Sequence, residues 1–163
     1  MTTWDDLQHL TPSQGALLYR LVELDYLSQA RVDELIQRLV SERFVKATHY
    51  LAFAQQIDAD VQLNQPHIIS RSYYAMYHAA RALALHFRRS DVDDHERLPV
   101  VLGQTLGMSY KEMLGRWREV RNQIDYSPYA PEGLDELVTA ALADADKMLV
   151  VCRETLRERG VNL

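Results

Sequence analysis

Apolar side chains recur every three to four residues along most of this chain, and that spacing predicts helices from end to end. Thr11-Pro12-Ser13-Gln14 has the form of a capping box that opens the first helix. The next patterns predict a helix over about 31–60, with a bend or break near Ser41, and a helix over about 66–89. A short helix ended by Leu106-Gly107 follows, and then a helix over 110–125 that Ser109 caps. The last predicted helix covers about 132–159 and ends at Gly160. Ser127-Pro128-Tyr129-Ala130-Pro131 is predicted to separate the last two.

These patterns predict an all-α helical bundle. Residues 11–40 have an apolar face too large to leave in water, so we expect this segment to pack on the rest of the bundle or on a second subunit. That face comprises Leu17, Leu21, Leu24, Val32, Leu35 and Leu39.

The third predicted helix has two faces of unusual character. One is apolar and comprises Ile69, Tyr73, Met76, Ala80, Leu83 and Phe87. The other comprises Ser70, Arg71, Tyr74, Tyr77, His78 and Arg81. This second face permits two interpretations: a half-buried helix whose tyrosines pack on a neighbour, which the pattern alone favours, or a surface that binds anions and stacks on flat rings.

Arg121 falls inside the apolar face of the fifth predicted helix, between Leu114 and Trp117. An inward arginine is costly unless it is paired, and Asp125 follows at the spacing of a helical ion pair. The two interpretations are a structural Arg–Asp pair and an arginine at the edge of a cleft, where it could hold a phosphate.

Composition and charge narrow the function classes. The chain of 163 residues has a net charge of −5, which argues against non-specific nucleic-acid binding by its whole surface. Basic residues are concentrated in the middle, where residues 66–126 hold nine Lys/Arg against seven Asp/Glu. The longest apolar run, 148–152, is far too short for a membrane span, and the lone Cys152 lies in a helical apolar pattern that predicts a buried thiol. No motif predicts a metal or cofactor, and a cytoplasmic location is the default expectation.

The segment from Ser70 to Leu83 reads Ser-Arg-Ser-Tyr-Tyr-Ala-Met-Tyr-His-Ala-Ala-Arg-Ala-Leu and resembles the HEPN superfamily of small helical proteins from prokaryotic defence and toxin–antitoxin loci. His95 matches a histidine that opens the third helix of one HEPN branch, and Arg121, Asp125 and Tyr126 match its Arg-x-x-x-Asp-Tyr motif. The resemblance covers about residues 42–159. It implies an up-down bundle of about five helices over residues 41–163, with residues 1–40 as an added N-terminal helical arm. It also implies a homodimer with a cleft along its two-fold axis and a small nucleotidyltransferase as the usual companion.

In ribonuclease members of the superfamily, the cleft holds an arginine followed, after four to six intervening residues, by a histidine. No histidine occupies these positions after Arg121, and Tyr126 stands at the first of them. A phenol with a pKa near ~10 is a poor neutral-pH proton shuttle compared with an imidazole near ~6.5. The resemblance therefore implies that ribonuclease activity is weak or lost.

The predicted function is binding of RNA or a nucleotide in an Arg/Tyr-rich groove. In an enzyme, Arg121 would stabilise the phosphate, Asn122 would orient it, and His78 or Tyr126 would handle the proton. The predicted substrate-binding residues are Arg71, Tyr74, Tyr77, Arg81 and Asp125. The alternatives are a non-catalytic protein-interaction module and a nucleotide sensor in which Tyr74 and Tyr77 stack on the base while Arg71 and Arg81 bind phosphates.

Overall fold

A computed structural model describes residues 10–127 and 131–163, and within these ranges every regular element is helical. The predicted all-α class is therefore confirmed. Six α-helices follow one another in the described ranges: α1 (Pro12–Glu23), α2 (Gln29–Gln56), α3 (Gln65–Arg88), α4 (Arg97–Leu106), α5 (Met108–Tyr126) and α6 (Leu134–Glu158). A 3₁₀ turn, Gln62–Asn64, precedes α3. None of the helices in this described part is long and apolar enough to cross a membrane.

The capping box that opens α1 is present as predicted. The Thr11 hydroxyl accepts a hydrogen bond from the Gln14 backbone N–H (3.3 Å), and the Gln14 side chain accepts one from the Thr11 N–H (2.8 Å). These bonds satisfy backbone donors that the first turn of a helix leaves without partners. Pro12 occupies the first helical position, where its missing N–H costs nothing.

The structure excludes a break near Ser41, because α2 is continuous from Gln29 to Gln56. The Ser41 hydroxyl donates to the carbonyl of Asn162 at 3.0 Å. It is therefore engaged by the C-terminal segment and does not compete with the helix backbone. The proposed arm boundary at residue 40 lies inside this single helix.

Two further sequence-based details are corrected. Ser109 lies inside α5 and does not cap it, since Gly107 with a φ of +99° forms the junction between α4 and α5. Phe87 is 40% exposed and not part of the apolar core; its ring faces the guanidinium of Arg159 at the bundle surface (5.5 Å). Of the predicted breaker over residues 127–131, residues 128–130 lie outside the described residues.

Helix α3 is the centre of the bundle and packs against α2, α4, α5 and α6. It is buried around most of its circumference because small residues such as Ala75, Ala79 and Ala82 let its neighbours approach closely. Tyr77, His78 and Arg81, from the face with polar groups, are also buried, whereas Arg71 and Tyr74 are half-buried. The polar face of α3 is therefore mostly internal and reaches the surface at one end. We call this face the polar seam; it comprises Ser70, Arg71, Tyr74, Tyr77, His78 and Arg81.

The N-terminal helices pack on the bundle through only part of the predicted apolar face. Val32, Leu35 and Leu39 of α2 are buried, whereas Leu17 and Leu24 are largely exposed. Leu10, two residues before α1, is fully buried, and its carbonyl accepts a hydrogen bond from the Asp91 N–H (2.8 Å). This contact ties the start of α1 to the loop that follows α3.

Candidate functional site

Arg121 of α5 meets the tyrosines of α3 at the open end of the polar seam. Its guanidinium donates to the Tyr74 hydroxyl and, at 2.9 Å, to Oδ1 of Asn122, and its Nε lies 3.2 Å from Oδ2 of Asp125. The predicted Arg121–Asp125 pair is therefore formed. Tyr126 completes the group, with its ring 5.7 Å from the guanidinium carbon. We call Tyr74, Arg121, Asn122, Asp125 and Tyr126 the Arg121 centre.

The Arg121 centre lies at the protein surface although Arg121 itself is 7% exposed. Tyr126 is 76% exposed, and Asn122 and Asp125 are also exposed. Burial alone would lower the pKa of Arg121, but the Tyr74 hydroxyl and the Asp125 carboxylate outweigh it and raise that pKa. The centre is thus a permanent, rigidly held cation with an exposed ring and a primary amide beside it.

Behind this centre lies a continuous cluster of aromatic rings. Tyr50 of α2 stacks on Tyr74 (centroids 5.6 Å apart) and on His78 (5.3 Å). Tyr77 stacks face to face on His95, with centroids 4.1 Å apart and planes inclined by 8°. These rings carry contacts from the Arg121 centre through α3 to the loop before α4, and we call Tyr50, Tyr73, Tyr74, Tyr77, His78 and His95 the aromatic cluster.

His78 lies deep in the aromatic cluster. It is 6% exposed, and its Nδ1 makes no hydrogen bond to any described residue. Burial, reinforced by the positive charges of Lys46, Arg81 and Arg43, lowers the pKa of His78 to about 3. The imidazole is therefore neutral at physiological pH and a weak base, which does not favour the predicted role of proton carrier.

His95 is the more accessible imidazole of the aromatic cluster. It is half-buried, and its Nδ1 and the Tyr73 hydroxyl share a hydrogen bond of 2.6 Å. Burial lowers the pKa of His95, and the charges of Arg121, Arg81 and Arg118 add to the effect. Burial also raises the pKa of Tyr73, so that this hydrogen bond joins two neutral groups at pH 7.

Arg81 is engaged inside the protein. Its Nε donates to Oδ1 of Asp91 (3.1 Å), and its Nη2 pairs with Oδ2, which also lies 3.0 Å from Nη2 of Arg43. Both Arg81 and Asp91 are buried. The Tyr77 hydroxyl, nearby, donates to the carbonyl of Asp93 (2.6 Å). These contacts anchor the loop between α3 and α4, and they place Arg81 and Tyr77 away from the surface at which Arg121 lies.

Arg71 lies at the opposite side of the aromatic cluster, against α2. Its guanidinium carbon is 5.6 Å from the ring centroid of Tyr50 and 5.7 Å from that of Phe53. Of the predicted site residues, the structure therefore groups Tyr74, Arg121, Asn122, Asp125 and Tyr126 in one place. It places His78 and Tyr77 behind them, and Arg71 and Arg81 at two separate positions.

Sequence reasoning did not assign Tyr50, Tyr73 or His95 to the site. Tyr73 has the spacing of a core residue, and Tyr50 lies in an ordinary amphipathic helix. His95 carried the strongest signal, because it matched a motif of the family that the chain resembles. Its contact with Tyr73 depends on how the loop after α3 folds back, which helical periodicity does not report.

Within the part of the chain that the structure describes, no three His, Cys, Asp or Glu side chains converge as metal ligands. Comparison with protein-family models and with curated proteins gave no match. The resemblance to HEPN proteins therefore rests on the motif residues quoted above, and the function is argued from the geometry of the site.

Proposed function

We propose that this chain is a HEPN-like protein that binds a nucleotide or single-stranded RNA at the Arg121 centre. The observation that carries the proposal is the fixed guanidinium of Arg121, held between tyrosine rings next to the exposed Tyr126 and Asn122. An arginine has five N–H donors, and the bonds to Tyr74 and Asn122 use two of them. The Nε–H is buried and faces Asp125, which leaves one N–H on each of Nη1 and Nη2 for phosphate oxygens, for which the guanidinium fork is well suited.

The ring of Tyr126 gives the centre a second recognition element. Most of this ring is exposed, and a flat nucleobase can stack on it while the phosphate pairs with Arg121. The amide of Asn122 can orient either group. Asp125 fixes the guanidinium and disfavours additional anionic groups on its own side, which limits the orientations that a ligand can adopt.

The same geometry supports binding more than cleavage. Cleavage of RNA without a metal needs a group that accepts a proton near neutral pH. Tyr126 has a phenol, and His78 is buried with a strongly lowered pKa. We therefore propose that ribonuclease activity is weak or lost.

The resemblance extends the proposal to the biological setting. It implies a homodimer whose two Arg121 centres face a shared cleft, and a role in a toxin–antitoxin or defence pair; a cytoplasmic location is the default expectation for such a chain. The companion would be a nucleotidyltransferase-type antitoxin. Of these features, the dimer can be measured on the isolated protein.

A second candidate function is a non-catalytic interaction module that contains no nucleotide site. The observation that favours it is the engagement of Arg121 by Tyr74, Asn122 and Asp125 within the chain itself. In this alternative the Arg121–Asp125 pair is purely structural, and the Arg/Tyr-rich groove receives a partner protein.

Replacing Arg121 with lysine separates the two candidates, because lysine keeps the charge but not the planar fork. We expect R121K to weaken binding of a fluorescein-labelled RNA decamer by tenfold or more, since a hydrogen bond to a charged group contributes about 1.5–3 kcal/mol. Fluorescence anisotropy at low ionic strength measures this affinity.

Arg116 provides the matched control on the same helix. It is exposed, pairs with Asp144 and lies over the ring of Trp117 (4.9 Å), so R116K makes the same chemical change away from the Arg121 centre. We expect R116K to bind the decamer within about twofold of the wild type. Equal weakening by both variants would indicate non-specific attraction, and an unchanged affinity in R121K would favour the interaction module.

A further inference from the structure

A basic and aromatic concavity lies on the surface formed by α2 and α3. It has a volume of about 300 Å³ and is lined by Lys46, His49, Tyr50, Phe53 and Arg71, which we call the α2–α3 shelf. The four residues from α2 follow a spacing of three, one and three residues, which places them on one helix face. None of the five is acidic, although the chain as a whole carries a net charge of −5.

The two cations of the α2–α3 shelf, Lys46 and Arg71, are not neutralised by a carboxylate among the described residues and can therefore bind an anion. Lys46 is exposed, and neither Lys46 nor Arg71 pairs with a carboxylate among the described residues. Arg71 is held instead by the ring faces of Tyr50 and Phe53. Arg81 shows the contrast, because its guanidinium is occupied by the buried Asp91.

Phe53 provides an exposed ring in the shelf. It is 51% exposed on a helix face where a polar side chain would be the ordinary choice. Aromatic rings next to cations are the elements with which proteins hold single-stranded nucleic acid, because every base has a flat face and every linkage carries a negative charge.

The shelf is connected to the Arg121 centre through ring contacts. Tyr50 lines the shelf and stacks on Tyr74, and the hydroxyl of Tyr74 accepts a hydrogen bond from Arg121. Two stacked rings therefore separate the two sets of cations. A strand that leaves a nucleotide at Arg121 can continue over these rings toward Lys46 and Arg71.

We propose that the α2–α3 shelf binds the next nucleotide of a single-stranded RNA whose first nucleotide lies at the Arg121 centre. The base stacks on Phe53, and the linking phosphate pairs with Arg71 and Lys46. This inference rests on the proposed function, and it makes the ligand an oligonucleotide of at least two units rather than a free mononucleotide.

The test compares 5′-AMP with the 5′-phosphorylated dinucleotide pApA by isothermal titration calorimetry. We expect the wild type to bind pApA about tenfold more tightly than 5′-AMP, because stacking one more base on an aromatic side chain has an effect of this order. F53A should lose this advantage and leave the affinity for 5′-AMP within twofold.

Phe87 offers the matched control. It is also a partly exposed phenylalanine beside an arginine, Arg159, but it lies at the other end of α3. F87A should bind both ligands as the wild type does, and circular dichroism melting should show that both variants are folded.

The two proposals fail in different ways. If 5′-AMP binds in a manner that depends on Arg121 but F53A leaves the affinity for pApA unchanged, the shelf inference is overturned and the proposed function stands. If neither ligand binds the wild type, the proposed function fails and the shelf inference with it. Equal weakening of pApA binding by F53A and F87A would also overturn the shelf inference.

Discussion

His78 is a buried histidine whose pKa lies well below its ordinary value. Its neutral ring is packed between Tyr50 and Tyr77, and its pKa is lowered from 6.5 to about 3 because burial disfavours the charged form. Between these two values the unfolded chain binds a proton at His78 and the folded chain does not. The free energy of unfolding must therefore fall as the pH drops through this window.

We expect His78→Phe to reduce the acid sensitivity of the fold, because phenylalanine keeps a flat ring in the cluster and does not titrate. Urea unfolding at pH 7 and pH 4.5 should show a smaller loss of stability in the variant than in the wild type. His86 and His95 also have lowered pKa values and remain in both proteins, so the difference isolates His78. Equal losses in the two proteins would contradict the assigned pKa.

The contacts and burial of single residues could be predicted from the sequence where they depend on neighbours close in the chain. The Arg121–Asp125 pair follows from i, i+4 spacing, and the buried Cys152 follows from its place in an apolar stripe; burial raises the pKa of its thiol to about 12. The partners of Arg81 and His95 could not be predicted. Asp91 and Tyr73 reach them only because the loop after α3 folds back on the bundle.

At the scale of elements, the position of α1 depends on a close approach of backbone to backbone. A Cβ added to Gly15 would lie 2.8 Å from the carbonyl oxygen of Arg89, which is shorter than real contacts of this kind. Arg89 itself has a φ of +57°, so this carbonyl belongs to a turn with little freedom to move. Glycine is therefore required where α1 crosses the end of α3.

We expect Gly15→Ala to destabilise the fold by about 1–3 kcal/mol, the range for forcing extra atoms into a packed contact. Gly115 of α5 is the matched control, because nothing lies within 4 Å of its added Cβ. Gly115→Ala should stabilise the protein by about 0.5–1 kcal/mol, the helix-propensity difference between the two residues. Urea unfolding measures both changes, and the account of the α1 contact is wrong if both variants are stabilised.

Helical periodicity predicted the elements well and their ends less well. The apolar repeat continues through Ser41, and α2 has no break there. The hydrogen bond from Ser41 to Asn162, which is 121 residues away, accounts for the serine there. Ser109 has the chemistry of a cap, but the positive φ of Gly107 sets the start of α5 two residues earlier.

At the scale of the whole molecule, one central helix organises both the core and the candidate site. The sequence correctly predicts an all-helical fold, and it singles out α3 by its mixture of apolar, aromatic and basic residues. It could not show that α3 is surrounded by α2, α4, α5 and α6, which buries Tyr77, His78 and Arg81. Periodicity describes one helix at a time, whereas this burial depends on how many neighbours a helix has.

The central claim is that Arg121 holds the phosphate of a nucleotide in a molecule of two chains. Native mass spectrometry in the presence of 5′-AMP tests it most directly, because one spectrum reports both the assembly and its ligand. We expect a species of about twice the 18.8 kDa chain mass that carries up to two nucleotides in the wild type and in R116K, and an equally dimeric R121K that carries none. A monomeric wild type, a wild type without bound nucleotide, or an R121K protein that carries as much as the wild type would contradict the claim.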